Sequence, residues 1–171
     1  LHAKGGQLIG IMGGSGTGKT TLLNLLNGNL QSHQGSIYIN GYELKYHHTD
    51  LKKVIGYIPQ DDLLMEELTV WQNLYYNAKL CFSDLAEAQI EHKIRQQLAD
   101  LDLERIAHLK VGNPLEKIIS GGQRKRLNVA LELLREPHIL LIDEPTSGLS
   151  SNDSERLMDI IKEQTIVGRL A

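Results

Sequence analysis

An α/β fold, with a mainly parallel sheet, a small antiparallel β portion and an inserted helical lobe, is what three features of the sequence predict. A short apolar run, Gln7 to Met12, stops in glycines immediately before a stretch whose leucines, Leu22, Leu23, Leu25 and Leu26, recur at helical spacing. A second apolar run, Ile139 to Ile142, shows no polar alternation, as a strand covered on both faces requires. Between them, from Asp61 to Lys117, the apolar spacing turns helical, so the lobe is expected over 61–117 and the core over 1–60 and 118–171.

Taken in order, the elements justify that reading. Gln7 to Met12 reads as a buried strand, Gly13 to Gly18 as a loop, and Thr20 to Asn27 as a helix with Gly28 where a C-cap belongs. Ser36 to Ile39 alternates polar and apolar into an Asn40-Gly41 turn, and Lys53 to Ile58 is a strand stopped by Pro59. Thr69 and Gln72 have capping-box spacing ahead of a helix through Tyr75, Tyr76 and Leu80, where Trp71 and the two tyrosines read as packing. Ile90, Ile94, Leu98 and Leu101 form a second helical stripe. Ser120-Gly-Gly122 opens a helix with Leu127, Ala130, Leu131 and Leu134 inward, and a last helix is expected near Ser154 to Glu163.

Composition narrows the function classes. A chain of 171 residues, 41% hydrophobic, suits one domain with a proper core. With 18 Lys plus Arg against 21 Asp plus Glu, the formal charge of −3 speaks against a nucleic-acid partner. Cys81 is the single cysteine, so neither an internal disulfide nor a cysteine zinc site is expected. No apolar run approaches the roughly 18 residues of a membrane span, and no secretory pattern opens the chain, so this piece is expected to be soluble and intracellular. Leu1 at the start and a linker-like Val167 to Ala171 suggest an excised piece, truncated at both ends. His47-His48 reads as solvated surface.

Three motifs carry chemistry. Gly13-Gly-Ser-Gly-Thr-Gly-Lys-Thr20 matches the phosphate-loop spacing and lies between a strand and a helix, the context that pattern needs. Its glycines let successive N–H groups and the positive helix end face a phosphate; Lys19 reaches the β- and γ-phosphates, and the Thr20 hydroxyl ligates Mg²⁺. The expected nucleotide cradle is Gly13, Gly14, Ser15, Gly16, Thr17, Gly18, Lys19, Thr20 and Thr21. Asp143 and Glu144 end the Ile139 to Ile142 strand, and strand C-terminal edges are where open parallel sheets bind ligands. Asp143 is expected to face Mg²⁺, and Glu144 to polarise the water that attacks the γ-phosphate. Ser120, Gly121, Gly122 and Gln123 form a second anion site at a helix start, which suggests one nucleotide shared between two copies of the domain.

The Ile118-Ile-Ser-Gly-Gly-Gln-Arg-Lys-Arg126 run resembles the signature of ABC ATPases, with Ile119 where Leu is usual, and the likeness covers essentially all of the chain. Together with Asp143 to Leu149 it looks most like the white-type exporter branch, subfamily G, and related bacterial proteins. The resemblance implies the P-loop NTPase fold in its ABC form, ATP and Mg²⁺ as ligands, ATP hydrolysis, and a head-to-tail dimer driving a transmembrane domain at the cytoplasmic face of the cell membrane. It implies that Gln60 is the glutamine that contacts Mg²⁺ or the attacking water and links the site to the transmembrane partner. It implies that Ser147 to Ser150 is the loop crossing the dimer interface, with Ser150 where an aspartate is usual; a serine hydroxyl can still hydrogen-bond there. The adenine-stacking aromatic and the γ-phosphate histidine of the family fall on no residue of this sequence. Other readings are an ABC ATPase without transport, of the DNA-repair or translation-factor kinds, and a non-catalytic nucleotide sensor. The roughly sixty-residue insertion lacks the sustained heptads of the repair type, and an intact Lys19, Asp143 and Glu144 argue for catalysis.

Overall fold

The computed structural model describes residues 2–116 and 118–171; Leu1 and Lys117, the expected last residue of the helical lobe, lie outside the described residues. Two units form, one of Leu1–Gln60, Pro137–Glu144 and Ile161–Ala171, the other of Asp61–Glu136 and Pro145–Ile160.

The first unit carries the β-structure. Strands β1 (Tyr38–Ile39) and β2 (Tyr42–Glu43) pair antiparallel, Ile39 opposite Tyr42. At the turn, Asn40 and Gly41 have φ of 51° and 84°, the mirror-image turn that matches the twist of a hairpin. Strands β3 (Ile55–Ile58) and β4 (Ile139–Ile142) pair in parallel, Ile55 level with Ile139 and Ile58 with Ile142. Leu44, Leu51 and Ile55 are buried together, with Ile37, Ile39, Val54, Ile139 and Leu141 packed on them. Burying side chains of this size is worth roughly 1.5–3 kcal/mol each, so this cluster, rather than two-residue strands, holds the hairpin. Helix α1 (Lys19–Leu26) buries Leu23, and Gly28 follows it with φ of 76°. Helix α2 (His48–Leu51) buries Leu51.

Three expectations change in this unit. Gln7 to Met12 is extended but forms no ladder strand: Ala171 N donates to Gln7 O at 3.0 Å and Ile9 N to Ala171 O at 2.7 Å, and Gly10 to Met12 runs past that pairing. A strand needs main-chain partners along its length, and here Leu8, Ile11 and Met12 are 44%, 40% and 95% exposed instead of buried. Val167 to Ala171, expected as a linker, supplies the partner: Leu170 pairs in parallel with Ile139, its N–H on His138 O and its carbonyl taking Leu140 N. His48 is half-buried rather than solvated, its ring lying against Gly28.

The second unit is helical. Helix α3 (Val70–Cys81) starts at a reciprocal cap, Gln72 N donating to Thr69 Oγ1 at 3.1 Å and Thr69 N to Gln72 Oε1 at 2.9 Å, and buries Val70, Leu74 and Ala78. Asn73, also buried, holds the preceding loop: its Oδ1 accepts Met65 N and its Nδ2 donates to Met65 O. Helix α4 (Glu87–Asp100) buries Ile90, Ile94 and Leu98, the stripe its spacing predicts, and is followed by a 3₁₀ turn at Glu104–Ile106. Helix α5 (Gly121–Leu133) packs against α3 and is buried nearly all round. Helix α6 (Ser151–Ile166) starts here and buries Leu157, Ile160 and Ile161.

Candidate functional site

The turn from Gly13 to Thr20 is shaped by its glycines. Gly16 and Gly18 have φ of 78° and 92°, a left-handed backbone that costs a side-chain-bearing residue roughly 1–2 kcal/mol. Gly18 is also the N-cap of α1 and brings no side-chain cap, so the first N–H groups of the helix depend on another partner. The loop is strapped from within: Lys19 Nζ donates to the carbonyls of Gly13 and Gly14, both at 2.9 Å, and Thr17 Oγ1 donates to Gly14 O at 2.9 Å. A Cβ on Gly13 would meet Thr17 Oγ1 at 2.7 Å. Gly13 to Gly18, Thr20 and Thr21 are exposed and Lys19 half-buried.

Register brings the carboxylates to the same edge. Leu170 is level with Ile139 and Ala171 with Leu8, so Leu8 is level with Leu140, and the segment runs on from there to the phosphate loop in the direction in which β4 runs to Asp143 and Glu144. Gln60 leaves β3 at the end of the parallel pair where Asp143 follows β4, two residues after Ile58. Asp143 is 3% exposed and its N–H bonds Ile58 O at 2.9 Å. Burial, and then the nearby Asp143 carboxylate, push the Tyr57 phenol above its ordinary pKa, so Tyr57 stays protonated beside that charge. Glu144 is exposed and has φ of 44° immediately before Pro145, a conformation disfavoured twice over for a pre-proline residue. Such strain, on the order of 1–3 kcal/mol, collects at functional positions.

Ser120 to Gln123 belongs to the second unit and starts α5 in a different manner. Gln123 N donates to Ser120 Oγ at 3.1 Å and Ser120 N to Gln123 Oε1 at 2.8 Å, and Arg124 N bonds Ser120 O. These bonds use the Ser120 oxygen and the Gln123 carbonyl as acceptors, so the first turn presents the N–H groups of Gly121 and Gly122 together with the donors of the Ser120 hydroxyl and the Gln123 amide. Arg124, Lys125 and Arg126, which a charge run would place on a solvated face, are 7%, 8% and 9% exposed. Arg124 forks onto Asp62, Nε to Oδ2 at 2.8 Å and Nη2 to Oδ1 at 3.0 Å, and its Nη1 donates to Gly112 O at 2.6 Å. Arg126 Nη1 donates to Asp153 Oδ1 at 3.3 Å. Asp62 and Asp153 had no sequence motif of their own; the signal that could have found them is the basic run itself, since arginines on an otherwise apolar helix demand counter-ions.

Solved structures trace the same path. A dimeric ATP-binding cassette in a post-hydrolysis state, bound to ADP and Pi, matches 99% of this chain and 75% of its own with a TM-score of 0.83 at 28% identity. The fold is that of an ATP-binding cassette, an α/β P-loop architecture. The family model described as ABC transporter matches residues 1–147, and the chain belongs to that family. It is 39% identical over 166 residues to ABC transporter G family member 26 of Arabidopsis thaliana, covering 96% of this chain and 24% of that protein. To G family member 24 of Dictyostelium discoideum it is 38% identical over 161 residues, 92% of this chain and 14% of that protein. It is an ABC nucleotide-binding domain of the subfamily G branch, and it spans a quarter or less of these relatives' length.

Proposed function

We propose that this domain binds ATP and hydrolyses it to drive a substrate across a membrane, two copies meeting head to tail so that each nucleotide lies between one cradle and the other copy's Ser120 to Gln123. The observation that carries the proposal is the parallel order that sends Gln7 to Met12 into the phosphate loop in the direction in which β4 runs to Asp143 and Glu144, so that a triphosphate held by the loop would lie toward those carboxylates. Lys19 exchanges its two carbonyl partners for phosphate oxygens, and the N–H groups at the start of α1 receive the remaining charge. Thr20, Gln60 and Asp143 offer oxygen donors only, a set that fits Mg²⁺ held by few protein ligands, its other positions filled by water and phosphate. With Mg²⁺ bound, the phosphate charge is partly neutralised.

Glu144 orients and polarises a water whose oxygen attacks the γ-phosphorus while the bond to the β–γ bridging oxygen breaks, giving ADP and phosphate. That a similar cassette is dimeric and bound to ADP and Pi supports a dimer that binds nucleotide. The transporter relatives support coupling to a transmembrane domain; in this reading Gln60 and the helical segment carry that coupling, with this domain at the cytoplasmic face. Among the described residues no helix is long and apolar enough to cross a membrane. In the full-length protein, Glu144→Gln is expected to leave ATP binding near the parent level and slow hydrolysis by about 10²–10³-fold. Hydrolysis at the parent rate would remove Glu144 from its role.

A further inference from the structure

The start of α6 holds a carboxylate that the proposed reaction does not use. Ser150 Oγ donates to Asp153 Oδ2 at 2.7 Å and accepts Asp153 N at 3.2 Å, so Ser150 caps the helix and fixes the carboxylate of its own third residue. The other oxygen, Oδ1, accepts Arg126 Nη1 at 3.3 Å. It also lies 2.1 Å from where a Cβ on Gly122 would stand, so Gly122 lacks a side chain because Asp153 fills that space. Arg126 is 9% exposed and, among the described residues, its buried Nε has no partner, while its Nη1 holds Asp153 as a counter-ion. The carboxylate missing from position 150 thus reaches the same loop from position 153.

We propose that Asp153 is a positioning residue for the second anion site: through Ser150 and Arg126 it ties the start of α6 to the first turn of α5, and so sets how the Gly121 and Gly122 N–H groups face a nucleotide. The proposal rests on the shared-site reading above, and it assigns Asp153 to the site completed by the other copy's cradle, not to the cradle of its own chain.

The test uses full-length protein carrying two different affinity tags, so that mixed assemblies can be isolated. Asp153→Asn, nearly isosteric, removes the counter-ion of the buried Arg126 and is expected to lower the melting temperature by several degrees, to leave MgATP binding near the parent value and, at a temperature where the variant is fully folded, to lower kcat about tenfold. Ser150→Ala, which keeps the charge and its pair with Arg126, is expected to lower kcat about two- to threefold, less than Asp153→Asn because one of the two ties on the carboxylate remains. Assembled with a Lys19→Ala chain, the Asp153→Asn chain should regain hydrolysis, because both lesions then fall in one composite site and the other is intact. A role confined to folding, or to the chain's own cradle, would damage both sites and show no rescue. The control pair is Lys19→Ala with Gly121→Asp, a position where an added Cβ meets nothing nearer than Leu149 Cδ2 at 3.9 Å. If the control regains activity and the Asp153→Asn pair does not, the role of Asp153 is refuted while the shared site stands. If neither pair regains activity, the shared-site reading fails and takes this inference with it. Parent-like kcat in both Asp153→Asn and Ser150→Ala also overturns it.

Discussion

The two glycine-rich helix starts obey the same sequence rule and are built in opposite ways. At α1 the cap is Gly18, which brings no side chain, the surrounding residues are exposed, and the loop is tied by Lys19 folded onto Gly13 and Gly14 and by Thr17 on Gly14. At α5 Ser120 and Gln123 cap each other, and buried arginines hold the helix on two sides. The first start is unfinished without a ligand, so its geometry depends on what occupies it. The second is complete in itself and offers two main-chain donors from a fixed position. An anion site can therefore be a cradle that closes on its guest or a plate already set, and a glycine motif alone does not say which.

The largest effect should come from breaking the first of these. Lys19→Ala removes both the strap and the phosphate contact, and is expected to cut hydrolysis by about 10²–10³-fold. Equilibrium titration with an ATP analogue should show binding weakened as well, which separates it from Glu144→Gln. Binding at the parent level would mean that Lys19 is a strap only. An intermediate effect sharpens the contrast by placing the same substitution in both starts. Gly122→Ala puts a Cβ on top of Asp153 and is expected to destabilise by about 1–3 kcal/mol, a fall of several degrees in melting temperature. Gly14→Ala meets nothing nearer than Thr17 Cγ2 at 4.0 Å and should leave the melting temperature unchanged. Equal shifts in the two variants would erase the distinction between an open and a prebuilt start.

The smallest effect concerns a third start, α4, whose first-turn charge comes from a side chain. The ammonium of Lys79 and then the phenol of Tyr75, both hydrogen-bonded to Glu87, hold its carboxyl below the ordinary glutamate value. A depressed carboxyl contributes stability that is present above its unfolded pKa and is lost as pH falls through the folded one. Amide exchange in the first turn of α4 should accordingly quicken in that acidic window, and Glu87→Gln should flatten the dependence. The starts of α1 and α5, capped by glycine and by neutral side chains, should show no such step.

What the sequence revealed follows from how local each signal is. The phosphate loop, the Asp143-Glu144 strand end, the Thr69 cap and the stripe Ile90, Ile94, Leu98 all lie within one element or at its edge, and all are where the spacing puts them. Gln7 to Met12 misled because an apolar run states what would be buried, whereas a ladder depends on partners more than 150 residues away. Arg124 to Arg126 have a setting that is non-local for a related reason. A charge run looks solvated until its counter-ions are known, and Asp62 lies 62 residues from Arg124. Ser150 looked like a loss because its partner, Asp153, sits in a position to which the motif attaches no meaning.

The clamp on Arg124 also bears on how this molecule can change length. One guanidinium holds Asp62 and the carbonyl of Gly112, so the two ends of the stretch carrying α3 and α4 are gathered on a single side chain of a helix outside that stretch. The stretch is a closed loop in the topological sense, and residues added at its exposed turn near Ser83 and Asp84 lengthen it without pulling on either end. Doubling a flexible loop costs only about 0.6 kcal/mol. The turn between α3 and α4 is thus where insertions are tolerated, while Asp62, Gly112 and Arg124 fix the span they must fit within.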